Sequence, residues 1–219
     1  DVTCDFAFGL PKAELHLHLE GTLEPDLKLA LARKNGVDIG QSTVEEVQAT
    51  YQFNDLTSFL AVYYPAMDVL QDEDDFHDLA AAYFERARAN GVVRAECFFD
   101  PQAHTSRGIA IETVIRGYYR AVVEAREAGL SADLILCFLR DMSAQSALET
   151  LQAALPYKDM FIGVGLDSDE RDNPPTKFAD VFALAREAGL HVTMHCDIDQ
   201  VGSIDNIRAA LTELGAERL

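Results

Sequence analysis

The stretch Glu14-Leu15-His16-Leu17-His18-Leu19-Glu20-Gly21 alternates polar and apolar side chains and ends in a glycine. A period of two predicts a β-strand, which we place over Ala13–Leu19. Residues two apart on a strand point the same way, so His16 and His18 share one face and the leucines share the other. We expect this strand to be buried, where two adjacent imidazoles would cost free energy unless a ligand uses them.

A divalent metal is one such ligand, because zinc binds imidazole nitrogens at about 2.0–2.1 Å. His195 could supply a third nitrogen, since it ends the strand-like run His191-Val-Thr-Met-His195. In parallel barrels, functional side chains lie at the carboxyl ends of the strands. We therefore predict that His16, His18 and His195 bind one metal ion. The spacing alone leaves open that they are ordinary polar residues of a core.

Two carboxylates, Asp197 and Asp199, follow His195 closely. An acid beside a metal-bound water can transfer protons in metal-assisted hydrolysis, so both are candidate catalytic residues. A second acidic cluster, over residues 165–170, ends another predicted strand. Side chains that contact a bound ligand are expected at such a position. Aspartate is also common in loops that follow strands, so both clusters have a structural alternative. The remaining histidines are interpreted as surface or structural residues: His77, His104 and His191.

Strand-like runs alternate with amphipathic helical stretches along the rest of the chain. The predicted strands after the first are Val92–Phe99, Asp133–Leu139, Phe161–Asp167 and His191–His195. The predicted helices that follow them are Thr113–Ala128, Ser143–Leu155, Thr176–Ala188 and Ser203–Leu214. This alternation predicts an α/β fold with a parallel sheet and helices outside it.

The connection between the first two strands is longer, at roughly seventy residues. We interpret residues 24–90 as a helical insertion that acts as a lid over one end of the sheet. No flexible linker bounds this segment, so we expect one domain over residues 1–219. Its predicted helices are Glu24–Asn35, Thr43–Thr50, Leu56–Leu70 and Asp74–Asn90.

The composition of the chain limits which kinds of molecule it can bind. The chain has 37 acidic and 18 basic residues, a formal net charge of -19, so we expect nucleic acid and anionic membranes to be repelled. No apolar run reaches the roughly 20 residues of a membrane span, and we expect no signal peptide at the N-terminus. The four cysteines are widely spaced and form no CxxC pair, which favours reduced thiols and a cytoplasmic location.

Three motifs carry a resemblance to a known family. The segment Leu10–Leu27, LPKAELHLHLEGTLEPDL, resembles the opening of the adenosine/adenine deaminase family. The segments Phe98–Gly108, FFDPQAHTSRG, and Gly165–Ser168, GLDS, are similar to its adenine deaminase branch. The resemblance runs from about Leu10 to the last residue.

This resemblance implies an α/β fold, a (β/α)8 barrel of the metal-dependent hydrolase type, with about five of its βα units in this chain. It implies a purine as the substrate and hydrolytic loss of the 6-amino group as ammonia, with adenine favoured. One zinc ion per chain would activate the attacking water. The metal ligands of the family fall on His16, His18 and His195. Its purine-facing positions fall on Glu20, Asp167 and Ser168.

One departure concerns the fifth strand. The family usually has a glutamate there that delivers a proton to the purine ring, whereas this chain has Ile198 at that position. Either Asp199 or Asp197 substitutes for it, or the chemistry is lost and the protein is a non-catalytic purine-binding homologue.

The second departure is length. The family continues with a histidine near the sixth strand and an aspartate ligand near the eighth, both past Leu219. We therefore expect an incomplete barrel, with a sixth strand starting at Glu217–Leu219.

Two further alternatives remain open. The substrate could be adenosine or an N6-substituted adenine instead of adenine. A histidine pair with a later histidine also recurs in barrel hydrolases of amides or phosphoesters, although the motif at Phe98–Gly108 favours a purine. The sequence indicates no oligomeric state.

Overall fold

The structure, a computed structural model, describes residues 2–197 and 200–219. In these ranges the strands are β1 (Lys12–His18), β2 (Val92–Phe99), β3 (Ser131–Leu139), β4 (Gly163–Asp167) and β5 (His191–Val192). The α-helices are α1 (Val2–Gly9), α2 (Pro25–Asn35), α3 (Val44–Ala49), α4 (Leu56–Ala66), α5 (Glu73–Ala89), α6 (Pro101–Thr105), α7 (Ile111–Glu127), α8 (Ala144–Ala154), α9 (Ala179–Glu187) and α10 (Ser203–Thr212). Short 3-10 turns cover Leu19–Thr22, Met67–Val69, Leu155–Met160 and Pro175–Phe178.

The strands form one parallel sheet in the order β1-β2-β3-β4-β5. Each of the five predicted strands is present, and helices separate neighbouring strands along the chain. The predicted α/β class, with a parallel sheet, is therefore confirmed. The expectation of a single domain over residues 1–219 stays a prediction.

The fifth strand is shorter than predicted, but its hydrogen bonding continues past Val192. The amides of Thr193 and His195 donate to Val164 and Leu166, at 3.0 and 2.9 Å. On its other side, Thr193 forms a parallel bridge with Arg218. Residues 217–219 thus begin to pair as the sixth strand was predicted to do.

The four helices predicted for the long first connection are present as α2 to α5. Three of them begin with a capping box, in which the N-cap side chain and the third helical residue exchange hydrogen bonds with each other's backbone. The N-cap residues are Thr43, Asp55 and Asp72. Local sequence therefore sets where these helices start.

Two helices were not predicted. Helix α1 has no buried residue, so it leaves no amphipathic pattern in the sequence. Helix α6 spans five residues and starts at Pro101, which is suited to the first position of a helix. No helix in the described part of the chain is long and apolar enough to cross a membrane.

The chain divides into two compact units. The first contains residues up to Phe99 and Thr113–Leu134. Its core includes Tyr118 of α7, whose ring packs edge-to-face on Phe76 of α5 and on Phe99 of β2. Burial of these aromatic rings holds the two long helices on the sheet.

The second unit contains Asp100–Glu112 and Ile135–Leu219. Its core packs Phe138 of β3 edge-to-face on Phe182 of α9. Strand β4 approaches its neighbours closely. A Cβ at Gly163 would lie 2.8 Å from the His191 carbonyl oxygen, and one at Gly165 would lie 2.6 Å from the Cys137 sulfur. Glycine at these positions allows the strands to pair.

A substitution at Gly117 would test how closely α7 packs on α5 in the first unit. A Cβ there would lie 2.5 Å from the Glu73 carbonyl oxygen and 2.7 Å from the Phe76 Cβ. Alanine favours a helix over glycine by about 1 kcal/mol, but overpacking a tight contact costs about 1–3 kcal/mol. We expect Gly117→Ala to lower the free energy of unfolding by about 1–2 kcal/mol in urea titrations.

Gly9→Ala is the matched control, because nothing lies within 4 Å of a Cβ at Gly9. We expect it to change the free energy of unfolding by less than about 0.5 kcal/mol. A stabilised Gly117→Ala protein would contradict the close packing of the two helices.

Candidate active site

His16 and His18 lie side by side near the carboxyl end of β1. Their ring centroids are 5.5 Å apart. The ring of Phe98 on β2 contacts both imidazoles. Its centroid lies 4.8 Å from that of His16 and 4.9 Å from that of His18. The predicted pairing of the two imidazoles is therefore present, and Phe98, which sequence reasoning missed, restricts how each ring can turn.

Strand pairing is irregular at this point. Glu14 pairs with Ala95 and Leu17 with Cys97, so three steps along β1 match two along β2. An extra residue of this kind is a β-bulge, which often re-aims side chains next to functional sites.

The expectation that the first strand is buried is wrong for His16. This side chain is exposed and His18 is half-buried, while Leu15 is 39% exposed. The physical reason is that β1 is an edge strand of the described sheet, with a neighbour on one side only. Burial therefore does not argue for a ligand at His16, and the argument for a metal depends on the proximity of the two rings.

Glu20 follows on the 3-10 turn after β1 and is buried. It lines a cavity of about 210 Å³ together with four aromatic side chains from the helical insertion. These side chains are Tyr51, Phe53, Phe59 and Tyr63. Gly21 lies beneath Tyr63, where a Cβ would be 3.3 Å from the ring.

Asp167 and Ser168 lie at the carboxyl end of β4 in the second unit. Asp167 is buried, and its carbonyl oxygen accepts a hydrogen bond from the Arg140 amide at 3.0 Å. Ser168 has a left-handed backbone with φ of 74°, which is uncommon outside glycine. Its hydroxyl is buried and has no hydrogen-bond partner among the residues that the structure describes.

His195 follows β5 and is half-buried. Its amide donates to Leu166 at 2.9 Å, and its carbonyl oxygen accepts from the Arg140 guanidinium at 2.8 Å. The amide of Asp197 donates to the Glu170 carboxylate. The main chain around His195 is thus held at several points.

Asp199, one of the two candidates for proton transfer, and Ile198, at the position of the usual glutamate, lie outside the described residues. Asp197 is described and half-buried. Burial raises the pKa of the Cys196 thiol between it and His195, and the nearby Glu170 carboxylate adds to this effect. The thiol is therefore neutral at pH 7.

The other histidines form structural contacts, as interpreted from the sequence. His77 bonds Asp78 and Glu124, and the exposed His191 bonds Glu217. His104 is fully buried, and its Nδ1 lies 3.1 Å from Nη2 of Arg107.

The structure thus places the predicted site residues in two local groups. His16, His18 and Glu20 lie at the end of β1 in the first unit, and Asp167, Ser168 and His195 lie at the ends of β4 and β5 in the second. The joining of the three histidines around one metal stays a prediction. Sequence reasoning missed Arg140, which has no motif to mark it.

A parallel sheet whose strands follow one another in chain order, with helical crossovers and polar side chains at the strand ends, is typical of an α/β protein of the barrel type. The family model described as adenosine deaminase matches residues 11–219. The chain belongs to the adenosine deaminase family.

Comparisons with single proteins agree. The chain is 54% identical to an adenine deaminase from Geotalea uraniireducens, over 96% of this chain and 59% of that protein. A crystal structure of adenine deaminase from Arthrobacter aurescens superposes with a TM-score of 0.91, at 48% identity, over 95% of this chain and 63% of that one. A zinc-bound amidohydrolase from Burkholderia ambifaria superposes with a TM-score of 0.81, at 30% identity, over 98% of this chain and 59% of that one. The chain spans about three fifths of the length of these relatives.

Phe98 provides a test of how the imidazole pair is held. We expect Phe98→Leu to shift the ring-proton resonances of His16 and His18 in NMR spectra, because the aromatic ring beside both imidazoles is lost. Phe99→Leu is the control, because the Phe99 ring packs on Tyr118 instead. If Phe98→Leu moved these resonances no more than Phe99→Leu does, the packing described here would be incorrect.

Proposed function

We propose that the protein is a zinc-dependent adenine deaminase, which hydrolyses adenine to release ammonia. The observation that carries this proposal is the position of Glu20, a buried carboxylate that faces an aromatic cavity two residues after His18. Family membership and the adenine deaminases among its relatives support the same reaction. A purine is the proposed substrate, and the four free cysteines support the proposal of a cytoplasmic location.

We assign His16, His18 and His195 as the ligands of one zinc ion. Imidazole nitrogens are a donor set that zinc accepts, and the adjacent rings of His16 and His18 fit such a use. Parallel strands end at the same edge of a sheet, which supports a role for His195 after β5. A zinc ion bound there would supply an activated water near neutral pH.

The cavity beside Glu20 suits a flat, nitrogen-rich ring. Aromatic side chains offer faces on which a base can stack, an interaction worth about 1–3 kcal/mol per base in single-strand binding. The Glu20 carboxylate can accept a hydrogen bond from a purine N–H. Stacking on these side chains would select an aromatic ligand. The Glu20 carboxylate would select a ligand with a hydrogen-bond donor on the edge of its ring.

Ser168 and Asp167 are proposed to read another edge of the purine. The Ser168 hydroxyl is buried without a partner among the described residues, which costs free energy, and a strained backbone of this kind clusters at functional sites. A purine nitrogen that bonds the Ser168 hydroxyl would remove that cost. If the pair binds the imidazole edge, a ribose at N9 would be crowded, which favours adenine over adenosine.

An acidic side chain after His195 is proposed to move the proton. Asp197 and Asp199 are the candidates, because the usual glutamate position holds Ile198. A carboxylate near the reacting carbon can take a proton from water and deliver it to the ring, so that charge is neutralised as it develops.

The test of this function uses the intact protein with zinc supplied. We expect ammonia release from adenine with kcat/KM at least about 100-fold above the value for adenosine. His18→Gln and His195→Gln should each lower bound zinc and activity by at least about 100-fold. His191→Gln is the control, because His191 is an exposed residue paired with Glu217.

Two outcomes would contradict the proposal. Tight adenine binding without ammonia release would indicate the non-catalytic purine-binding homologue. Equal kcat/KM values for adenine and adenosine would refute the preference at the imidazole edge. The first outcome needs a measurement of adenine binding beside the coupled ammonia assay, and the second needs the ammonia assay alone.

Ser168 has its own test. We expect Ser168→Ala to lower kcat/KM for adenine by about 10–100-fold, because the purine loses a hydrogen bond in a buried site. Asp172→Ala is the matched control, since Asp172 has the same left-handed backbone, with φ of 61°, but an exposed side chain. An effect as large in the control would assign the loss to the strained loop rather than to the hydroxyl.

A further inference from the structure

A buried arginine lies next to His195 and has no role in the proposed chemistry. Arg140 follows β3 directly, and its side chain is 0% exposed. Its Nε donates to the Asn173 carbonyl oxygen at 3.1 Å, and its Nη1 donates to the His195 carbonyl oxygen at 2.8 Å. The guanidinium thus bridges the end of β3, the loop after β4 and the end of β5.

Glu170 complements this arginine. Its side chain is 3% exposed, and Oε1 lies 3.6 Å from Arg140 Nη2. The same oxygen accepts from Asn206 Nδ2 of α10 at 2.9 Å, and Oε2 accepts from the amide of Asp197. The carboxylate therefore joins the loop after β4 to the loop after β5 and to the helix beyond it.

Together the two side chains hold the main chain on both sides of the His195 side chain. Arg140 binds the carbonyl oxygen of residue 195, and Glu170 binds the amide of residue 197. The sheet holds the amide of residue 195 through Leu166. Because the Cα–Cβ direction follows from the main chain, these bonds limit where the imidazole of His195 can point.

A buried ion pair is a poor device for stability alone, because desolvation of the two charges can exceed their attraction. Metal ligands, in contrast, must be held within a few tenths of an ångström, which requires support from surrounding groups. We propose that Arg140 and Glu170 are positioning residues that aim His195 at the metal. This role depends on the zinc site of the proposed function.

The test separates positioning from stability with four variants of the intact protein. Arg140→Met removes the donors, and Arg140→Lys keeps the charge but can bond only part of the set. The double variant Arg140→Met with Glu170→Met removes both charges, an exchange that is often neutral for stability. Arg208→Met is the control, because Arg208 is an exposed arginine paired with Asp205 on the surface of α10.

Three properties of each variant are measured. Zinc affinity comes from chelator competition, ligand geometry from the visible spectrum of the cobalt-substituted protein, and folding from the thermal midpoint. We expect zinc binding to weaken about 10–100-fold in Arg140→Met and in the double variant, including where the double variant regains the wild-type midpoint. At saturating zinc, kcat should fall more than KM changes, and Arg208→Met should behave as wild type.

Wild-type zinc affinity and an unchanged cobalt spectrum in the folded variants would overturn the positioning role. So would failure of all three site variants to fold, since the pair would then serve folding. If the wild-type protein binds zinc but does not deaminate adenine, the proposed reaction fails, and zinc affinity still decides the role of Arg140. A wild-type protein that binds no zinc overturns both proposals.

Discussion

A parallel strand cannot be joined to its neighbour by a tight turn, so each neighbouring pair in this sheet is connected by a crossover segment. Helices supply all of these crossovers, and the first is long enough to contain α2 to α5. The same constraint makes every strand end with its carboxyl terminus at one edge of the sheet. The candidate site residues at the ends of β1, β4 and β5 are therefore placed at this edge by the topology before any specific contact is made.

The proposed metal ligands are held by different kinds of interaction. Side-chain packing holds the imidazoles of His16 and His18, since Phe98 contacts both rings. Main-chain hydrogen bonds hold His195, through Leu166, Arg140 and the neighbouring amide. The proposed ligands in the first unit are thus held by ring packing, and the one in the second unit by main-chain hydrogen bonds.

The sequence predicted the five strands and most helices because hydrophobic periodicity is set by burial on one face. The prediction failed for α1, because this helix has no buried residue. It also failed for the exposure of His16, because the periodicity of apolar residues does not reveal which strand lies at the edge of a sheet. The candidate site residues after β1, β4 and β5 could be proposed from their positions at strand ends. Arg140 could not, because its hydrogen-bond partners are main-chain oxygens far away along the chain, which carry no sequence signal. Glu170 lay within the acidic cluster noted in the sequence, but its bonds to the amide of Asp197 and to Asn206 could not be predicted from it.

The capping boxes at Thr43, Asp55 and Asp72 make the helices of the long crossover independent of one another in where they begin. Each of these three helices therefore has its own start signal in the local sequence. The walls of the aromatic cavity come from this segment, while His16, His18 and Glu20 come from the sheet and the turn after it. Evolution can consequently reshape the proposed substrate pocket without disturbing the strand that carries two of the proposed metal ligands, which gives this architecture a route to new specificities.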